Sequence, residues 1–348
     1  MPYLMNSWYV AAWDNEISAG APLARTFLDE RIVMFRNAEG RAVALADRCP
    51  HRFAPLSMGT ICEGAIQCAY HGLRFDSNGK CSHNPHGDGS IPKAAVVRSY
   101  PVVEQDSLIW IWMGDPAKAD TASIPSFRFQ NPDEWYVGKR YLYARANYLL
   151  ETDNIMDLSH IQYLHPTTLG SGAVNEGHTT VEQDGNTVWS KRFVGEETLP
   201  DFLYDAVSIP RGTLVARWLD VRWDPPGVMW LQADIGVAGN PREQAVKTPG
   251  AHLFTPETES TTHYWFSMCF PKALGDLATQ LGEANVEGVK QPFEFEDLPM
   301  LEAQQRAMNG KEFWSLKPVL LTGDAAAVRA RRVMDKLISE QGAQSSKH

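Results

Sequence analysis

The chain has 348 residues, 44% of them hydrophobic and 21% charged, which fits a globular protein of about two domains of roughly 150 residues each and excludes a disordered one. A net charge of −10 without long basic runs argues against nucleic acid and against anionic membrane as partners. No apolar run approaches the ~20 residues that cross a bilayer, and residues 1–8 lack the basic and apolar regions of a signal peptide, so a cytoplasmic protein is expected.

Up to Asp115 the chain reads as short strands and tight turns. Residues 31–35 and 42–45 flank Asn37-Ala38-Glu39-Gly40, a hairpin signal with glycine at the turn. Residues 74–75 and 80–81 flank a second turn, Asp76-Ser77-Asn78-Gly79, and residues 107–112 read as a strand buried on both faces. Gly114-Asp115-Pro116 closes this part, and residues 117–126 look like a linker. The remainder mixes strands (229–237, 252–254 and 263–266) with helices at 300–308 and 325–340, the latter with Asp324 as its cap. The expected fold class is α+β. A small antiparallel β domain, residues 1–117, precedes a larger domain of antiparallel sheet and helices, residues 118–348.

Cys49 and His51 stand in C-P-H-R, and Cys68 and His71 in C-A-Y-H-G-L. Two Cys-His pairs on two loops match the ligands of a Rieske [2Fe–2S] cluster, in which two thiolates hold one iron and two imidazoles the other. Tetrahedral zinc is the alternative for two cysteines and two histidines, but zinc fingers usually group the cysteines apart from the histidines. Five cysteines outside a secreted context suggest no disulfide framework. Cys62, Cys81 and Cys269 read as small buried residues.

Residues 147–165 carry apolar positions at helical spacing, ended by Pro166. Asp157 and His160, three apart, would share a helix face. His165 lies five beyond His160, about 140° round a regular helix, so the imidazoles converge only if the helix breaks or bulges between them. Two histidines and a carboxylate form the facial triad of non-haem Fe(II) oxygenases. The carboxylate must come from elsewhere, and Asp297 is one candidate in F-E-F-E-D-L-P, beside Glu294 and Glu296. Asp297 ahead of Leu-Pro would also serve as a helix N-cap. Trp230, Leu231 and His252 lie on segments that can line a substrate cavity. His252 would there pair with an acid or carbonyl, or else be a satisfied strand histidine.

These motifs together resemble the oxygenase components of Rieske non-haem iron oxygenases, in particular the group of vanillate O-demethylase, dicamba O-demethylase and toluenesulfonate monooxygenase. The resemblance extends over nearly the whole chain. It includes N-S-W-Y-V-A-A-W, the Rieske signature, W-I-W-M-G-D-P, D-N-I-M-D-L-S-H-I-Q-Y-L-H, the H-L-F-T-P-E-T-E-S-T-T-H-Y-W-F segment and E-D-L-P-M-L-E. It implies a [2Fe–2S] cluster on Cys49, His51, Cys68 and His71, and mononuclear Fe(II) on His160, His165 and Asp297. It also implies a homotrimer in which Asp157 bridges the cluster of one subunit to the iron of the next. Asn154, in the same run, is a further catalytic candidate. Two departures stand out: Met268-Cys269-Phe270-Pro271 replaces the R-N-F of relatives, and Pro292 and Pro299 bracket Asp297 where relatives carry an unbroken helix.

The implied function is that of a terminal monooxygenase component. It would use O2 and electrons from a ferredoxin or NAD(P)H-dependent reductase to remove an O- or N-alkyl group from a small aromatic substrate. Hydroxylation of a ring or methyl carbon by the same site is the alternative. A Rieske protein that only carries electrons is a second, but it would need little beyond residue 115.

Overall fold

The computed structural model describes residues 3–345. Its chain divides into two compact units, Met5–Ile124 and a second made of Pro125–His348 with Met1–Leu4. No helix among the described residues is long and apolar enough to cross a membrane.

The first unit is built from three small antiparallel sheets. β1 (Ser7–Trp13), β11 (Leu108–Met113) and β10 (Val102–Gln105) form one. All six residues of β11 are buried, as its continuous apolar run requires. β2 (Leu23–Phe27), β3 (Glu30–Arg36), β4 (Ala42–Ala46) and β9 (Ser99–Tyr100) form the second. Its β3–β4 hairpin pairs Phe35 with Val43 across the expected turn, where the Asn37 side chain accepts from Arg41 N–H. The third sheet holds β5 (Thr60–Cys62), β6 (Ala65–Gln67), β7 (Arg74–Phe75) and β8 (Cys81–His83). Phe35, Leu45, Leu56, Ile66 and Phe75 pack into one core with Cys49 and Cys68. Cys269 is buried as expected, but Cys62 and Cys81 are only half-buried, because they sit on the short edge strands β5 and β8. The segment read as a linker holds two 3-10 turns, started by Asp115 and Asp120 carboxylates that accept from Ala117 and Ala122 N–H.

The second unit is organised on a seven-stranded antiparallel sheet. Its strands run in the order β12 (Trp135–Ala144), β18 (Thr261–Pro271), β17 (Val246–Thr258), β16 (Val228–Val237), β15 (Val215–Asp224), β14 (Thr187–Glu197) and β13 (His178–Asp184). The strands read at 252–254 and 263–266 are the middles of β17 and β18. Helices α1 (Tyr148–Met156), α2 (Ile161–Leu164) and α3 (Asp201–Ala206) lie between strands in sequence, and α4 (Asp276–Pro292), α5 (Leu298–Met308) and α6 (Ala325–Ser345) follow them. Buried Arg331 of α6 grips the Asp153 carboxylate of α1 through Nε and Nη2, the latter at 2.6 Å, which ties the C-terminal helix to the site helix. Asp324 accepts from Leu321 N–H just before α6 begins.

Candidate functional site

Two loops of the first unit repeat one backbone design. Cys49 N–H donates to Ala54 O while Cys49 O accepts from Phe53 N–H; Cys68 N–H donates to Leu73 O while Cys68 O accepts from Gly72 N–H. The residue four places after each cysteine has positive φ, +61° at Phe53 and +73° at Gly72. Glycine adopts that conformation freely and phenylalanine rarely, so the geometry of the loop overrides the local preference at Phe53. Both cysteines are 2% exposed, and the His51 and His71 rings stand 4.5 Å apart between centroids. His86 Nε2–H donates to His71 O at 2.8 Å and braces the second loop. Burial first, and then the facing Cys68 thiol, push the Cys49 thiol up to about 11. Two buried cysteines and two neighbouring imidazoles supply the donor set, two sulfurs and two ring nitrogens, that fits a [2Fe–2S] cluster.

In the second unit, residues 147–165 are not the single helix that their periodicity suggests. Asn147 caps α1, accepting from Leu149 N–H at 2.9 Å. The helix ends at Asp157, whose extended backbone (φ −122°, ψ 95°) breaks it ahead of His160 and not between the two histidines. The Asp157 carboxylate then starts a 3-10 turn, Leu158–His160, by accepting from Ser159 N–H. α2 follows at once, and His165 leaves helical geometry (φ −118°, ψ 44°) in front of Pro166. This change of helix type brings the two rings to 5.4 Å. Asp157 and His160 therefore do not share a helix face; they meet through the Asp157 carbonyl, 2.7 Å from His160 Nδ1.

Phe293–Asp297 is a π-helical turn that joins α4 to α5 without a break. Pro292 and Pro299 thus do not interrupt the helix. Asp297 has helical backbone (φ −68°, ψ −57°) and its side chain caps no N–H, so the N-cap reading fails. Its Oδ1 lies 3.1 Å from His165 Nε2 and 3.5 Å from His160 Nε2. Asn154 Nδ2–H donates to the same oxygen at 2.9 Å. Glu296, weighed as a rival ligand, instead accepts from His165 Nδ1–H and from Thr168 Oγ1–H. A carbonyl and a carboxylate can only accept, so both Nδ1 atoms carry the proton and both Nε2 lone pairs turn to Asp297. Among the described residues, His160, His165 and Asp297 form a group whose ligand atoms all lie within 4.8 Å of one another, which fits a divalent ion held by two imidazoles and one carboxylate. Burial opposes charge on His165, yet Asp297 and Glu296 outweigh it and raise its pKa, an electrostatic field suited to a cation. At His160 burial prevails over Asp297 and lowers the pKa.

Beside this group lies a cavity of about 130 Å³, close to the volume that admits a benzene ring. Leu231 and His252 line it, with Leu219, Ala233, Phe266 and Phe293. Trp230 does not. Successive strand residues point to opposite faces, so the neighbour of Leu231 faces away, against Phe129 and Trp189. His252 is 4% exposed and shares its Nδ1 with the Tyr264 hydroxyl at 2.7 Å, so it has a partner within the strands while lining the cavity. Arg217, which lines the cavity, and its partner Glu197 had no signal in the sequence.

The Rieske [2Fe-2S] domain profile matches residues 7–101, and that of the vanillate O-demethylase oxygenase C-terminal domain matches residues 144–340. The oxygenase component of dicamba O-demethylase from Stenotrophomonas maltophilia is 39% identical over 97% of this chain and 98% of its own length. The oxygenase component of chloroacetanilide N-alkylformylase from Rhizorhabdus wittichii is 36% identical over 98% of this chain and 97% of its own. The crystal structure of dicamba monooxygenase bound to 3,6-dichlorosalicylic acid superposes with a TM-score of 0.91 at 37% identity, covering 98% of this chain and 99% of that one. A Rieske domain and a buried two-histidine, one-aspartate group give the cofactors as a [2Fe–2S] cluster and a mononuclear non-haem iron. With that, the chain belongs to the Rieske non-haem iron oxygenases, as an oxygenase component of the vanillate and dicamba O-demethylase group.

Proposed function

We propose that this oxygenase component removes an alkyl group from the oxygen or nitrogen of a substituted aromatic compound by hydroxylating the carbon bound to that heteroatom. The observation that carries the reading is the mostly apolar cavity with His160, His165 and Asp297 in its wall, so a substrate carbon and the metal ligands share one space. The relatives support the reaction class, one being named an O-demethylase and the other an N-alkylformylase. For a methyl substrate the balance is R–X–CH3 + O2 + 2 electrons + 2 H⁺ giving R–X–CH2OH + H2O, and the adduct then falls apart to R–XH and formaldehyde. A ferredoxin or NAD(P)H-dependent reductase supplies the electrons.

In this reading Cys49, His51, Cys68 and His71, in the domain taken as residues 1–117, would hold the [2Fe–2S] cluster. His160, His165 and Asp297, in residues 118–348, would hold the mononuclear iron. When bound, the cluster relays single electrons and the iron(II) activates O2. The chain's own residues do the rest. The Asp157 carbonyl and Glu296 fix the imidazole tautomers, Asn154 holds the Asp297 carboxylate, and the apolar walls keep water from the reacting carbon.

The working unit is a cytoplasmic homotrimer in which Asp157 links the cluster of one subunit to the iron of the next. The position of Asp157 at the helix break supports this, with 19% of its side chain exposed and its carbonyl on His160. The test is a panel of aryl methyl ethers and N-alkyl anilides scored for formaldehyde or another aldehyde against reductant consumed, with light scattering for the assembly. Hydroxylated product without aldehyde would replace dealkylation by ring or methyl hydroxylation, and an active monomer would remove the trimer.

A further inference from the structure

Position 285 falls on the inward face of α4, where Gly282, Val286 and Val289 are buried with it. Asparagine is a weak helix former, because its side chain competes for backbone hydrogen bonds. Asn285 does so here: its Nδ2–H donates to Leu281 O, one turn back, at 2.8 Å. Only the nitrogen end of an amide can donate to a carbonyl, so this bond fixes which way the group is turned. Oδ1 is left as an acceptor without a partner among the described residues, on a side chain that lines the cavity and belongs to a residue 3% exposed. Packing alone favours an apolar residue at such a position, since a buried carbonyl without a donor destabilises the fold.

Other polar groups of the wall bond within the protein. Arg217 donates to the Glu197 carboxylate from Nε and Nη2 at 2.7 and 2.8 Å, and to Leu169 O from Nη1 at 2.8 Å. Thr248 Oγ1–H donates to Ala233 O at 2.5 Å, and Ser267 Oγ–H to Gln130. Burial lowers the His252 pKa to about 4 against the opposing field of Asp297, so this ring is neutral at physiological pH. Its Nδ1 meets the Tyr264 hydroxyl, which has no other hydrogen-bond partner among the described residues; the hydroxyl therefore donates, and Nε2 carries the ring proton. Two wall atoms that the protein leaves unspent thus differ in kind, His252 Nε2–H being a donor and Asn285 Oδ1 an acceptor. A ligand that displaces water from the cavity must bring a donor to Oδ1 or leave that carbonyl dry.

We propose that Asn285 is a specificity-determining residue that selects substrates carrying a hydrogen-bond donor on the aromatic ring, a hydroxyl O–H or an amine or amide N–H, which pairs with Oδ1. The proposal rests on the dealkylation reading for its reaction and for the cavity as the seat of the substrate, but the donor selection concerns binding alone. It places no condition on the charge of the rest of the ring. A neutral acceptor held by its own helix backbone is already aimed before the substrate arrives, so no side chain has to be ordered on binding.

Matched pairs separate the two claims. The three positional methoxyphenols and the corresponding methoxytoluenes have nearly the same shape, with a methyl group in place of the hydroxyl donor. Calorimetric titration of the purified holoprotein at about pH 7, where a phenol keeps its proton, should show at least one methoxyphenol bound about tenfold or more tightly than its methoxytoluene. Methoxytoluenes bound as tightly as the phenols in all three pairs, or failure of all three phenols to bind, overturns the proposal. Phenols that bind with this preference but release no formaldehyde would refute dealkylation of these ethers and leave the donor selection standing. Asn285→Ala opens the same space to both members of a pair, so the ratio of their affinities reads the acceptor and should fall by about tenfold. Asn285→Leu, which refills the volume without an acceptor, should lower the ratio likewise. In a folded variant with normal near-ultraviolet circular dichroism, an unchanged ratio would assign the preference to another wall group such as His252 and overturn the role of Asn285.

Discussion

The Glu151→Gln substitution removes one proton-binding group from the core of the second unit and keeps its shape. Glu151 lies in the first turn of α1, is 2% exposed, and neither carboxyl oxygen has a hydrogen-bond partner. Burial raises its pKa well above the ordinary carboxylate value, and the Asp297 charge adds to the rise. The acid is therefore neutral in the folded protein at pH values where the unfolded chain, with a carboxyl pKa near ~4.3, has already lost the proton. Below that pH both states hold the proton and nothing is lost. Above it the folded state binds the extra proton, so stability falls by about 1.4 kcal/mol per pH unit until the buried acid itself ionises. A glutamine carries no such slope. The variant should accordingly gain on the native protein by about 1.4 kcal/mol per pH unit as pH rises above about 5, until the buried acid ionises, on top of a constant offset from burying an amide. Guanidinium unfolding of both proteins across that range, followed by tryptophan fluorescence, measures the difference. A gap that stays constant or shrinks as pH rises would mean that Glu151 is ionised in the fold, and the reasoning from its missing partners would fail.

Asp297→Asn should empty the mononuclear site while leaving the Rieske absorbance intact; metal analysis with a visible spectrum checks both. Glu296→Gln should weaken iron binding by about 10–100-fold without abolishing it, since it removes only the acceptor that orients His165, and titration of the metal-depleted protein reads the change. Asp157→Asn should retain both metals and the assembly yet slow electron transfer between the centres, as single-turnover decay of the reduced cluster would show; near-normal rates would rule out the bridge.

What could be read in the sequence is what is local. Each Cys-His loop and the β3–β4 hairpin is specified within a few consecutive residues, so motif and turn chemistry sufficed. The two histidines were legible for the same reason, but the break that unites them was misplaced, because the extended backbone at Asp157 leaves no mark in an apolar pattern. α4 was missed altogether. Its inward positions are filled by Ala278, Gly282 and Asn285 as well as Val286 and Val289, which dilutes the helical period. Trp230 was assigned to the cavity because alternation fixes only that Trp230 and Leu231 face oppositely, not which of them faces inward. The partners of Arg217, Asp153 and His165 lie 20, 178 and 131 residues away, and nothing in a single sequence pairs them.

The π turn at Phe293–Asp297 bears on both Pro299 and the ligand geometry. Proline has no N–H to donate and its ring strikes the carbonyl four residues earlier, which breaks a regular helix. Here Leu298 N–H reaches back five residues to Phe293 O, and the widened turn relieves that clash just where Pro299 follows. The same widening serves His165. Its imidazole meets Glu296 at Nδ1 and Asp297 at Nε2, two consecutive carboxylates on opposite edges of one ring. One of them fixes the tautomer and the other faces the metal position, so each role depends on the register of its neighbour. Sliding the helix by one residue would exchange a ligand for its orienting partner. Pro292 and Pro299, which in sequence look like interruptions, are compatible with the single turn type that holds this register.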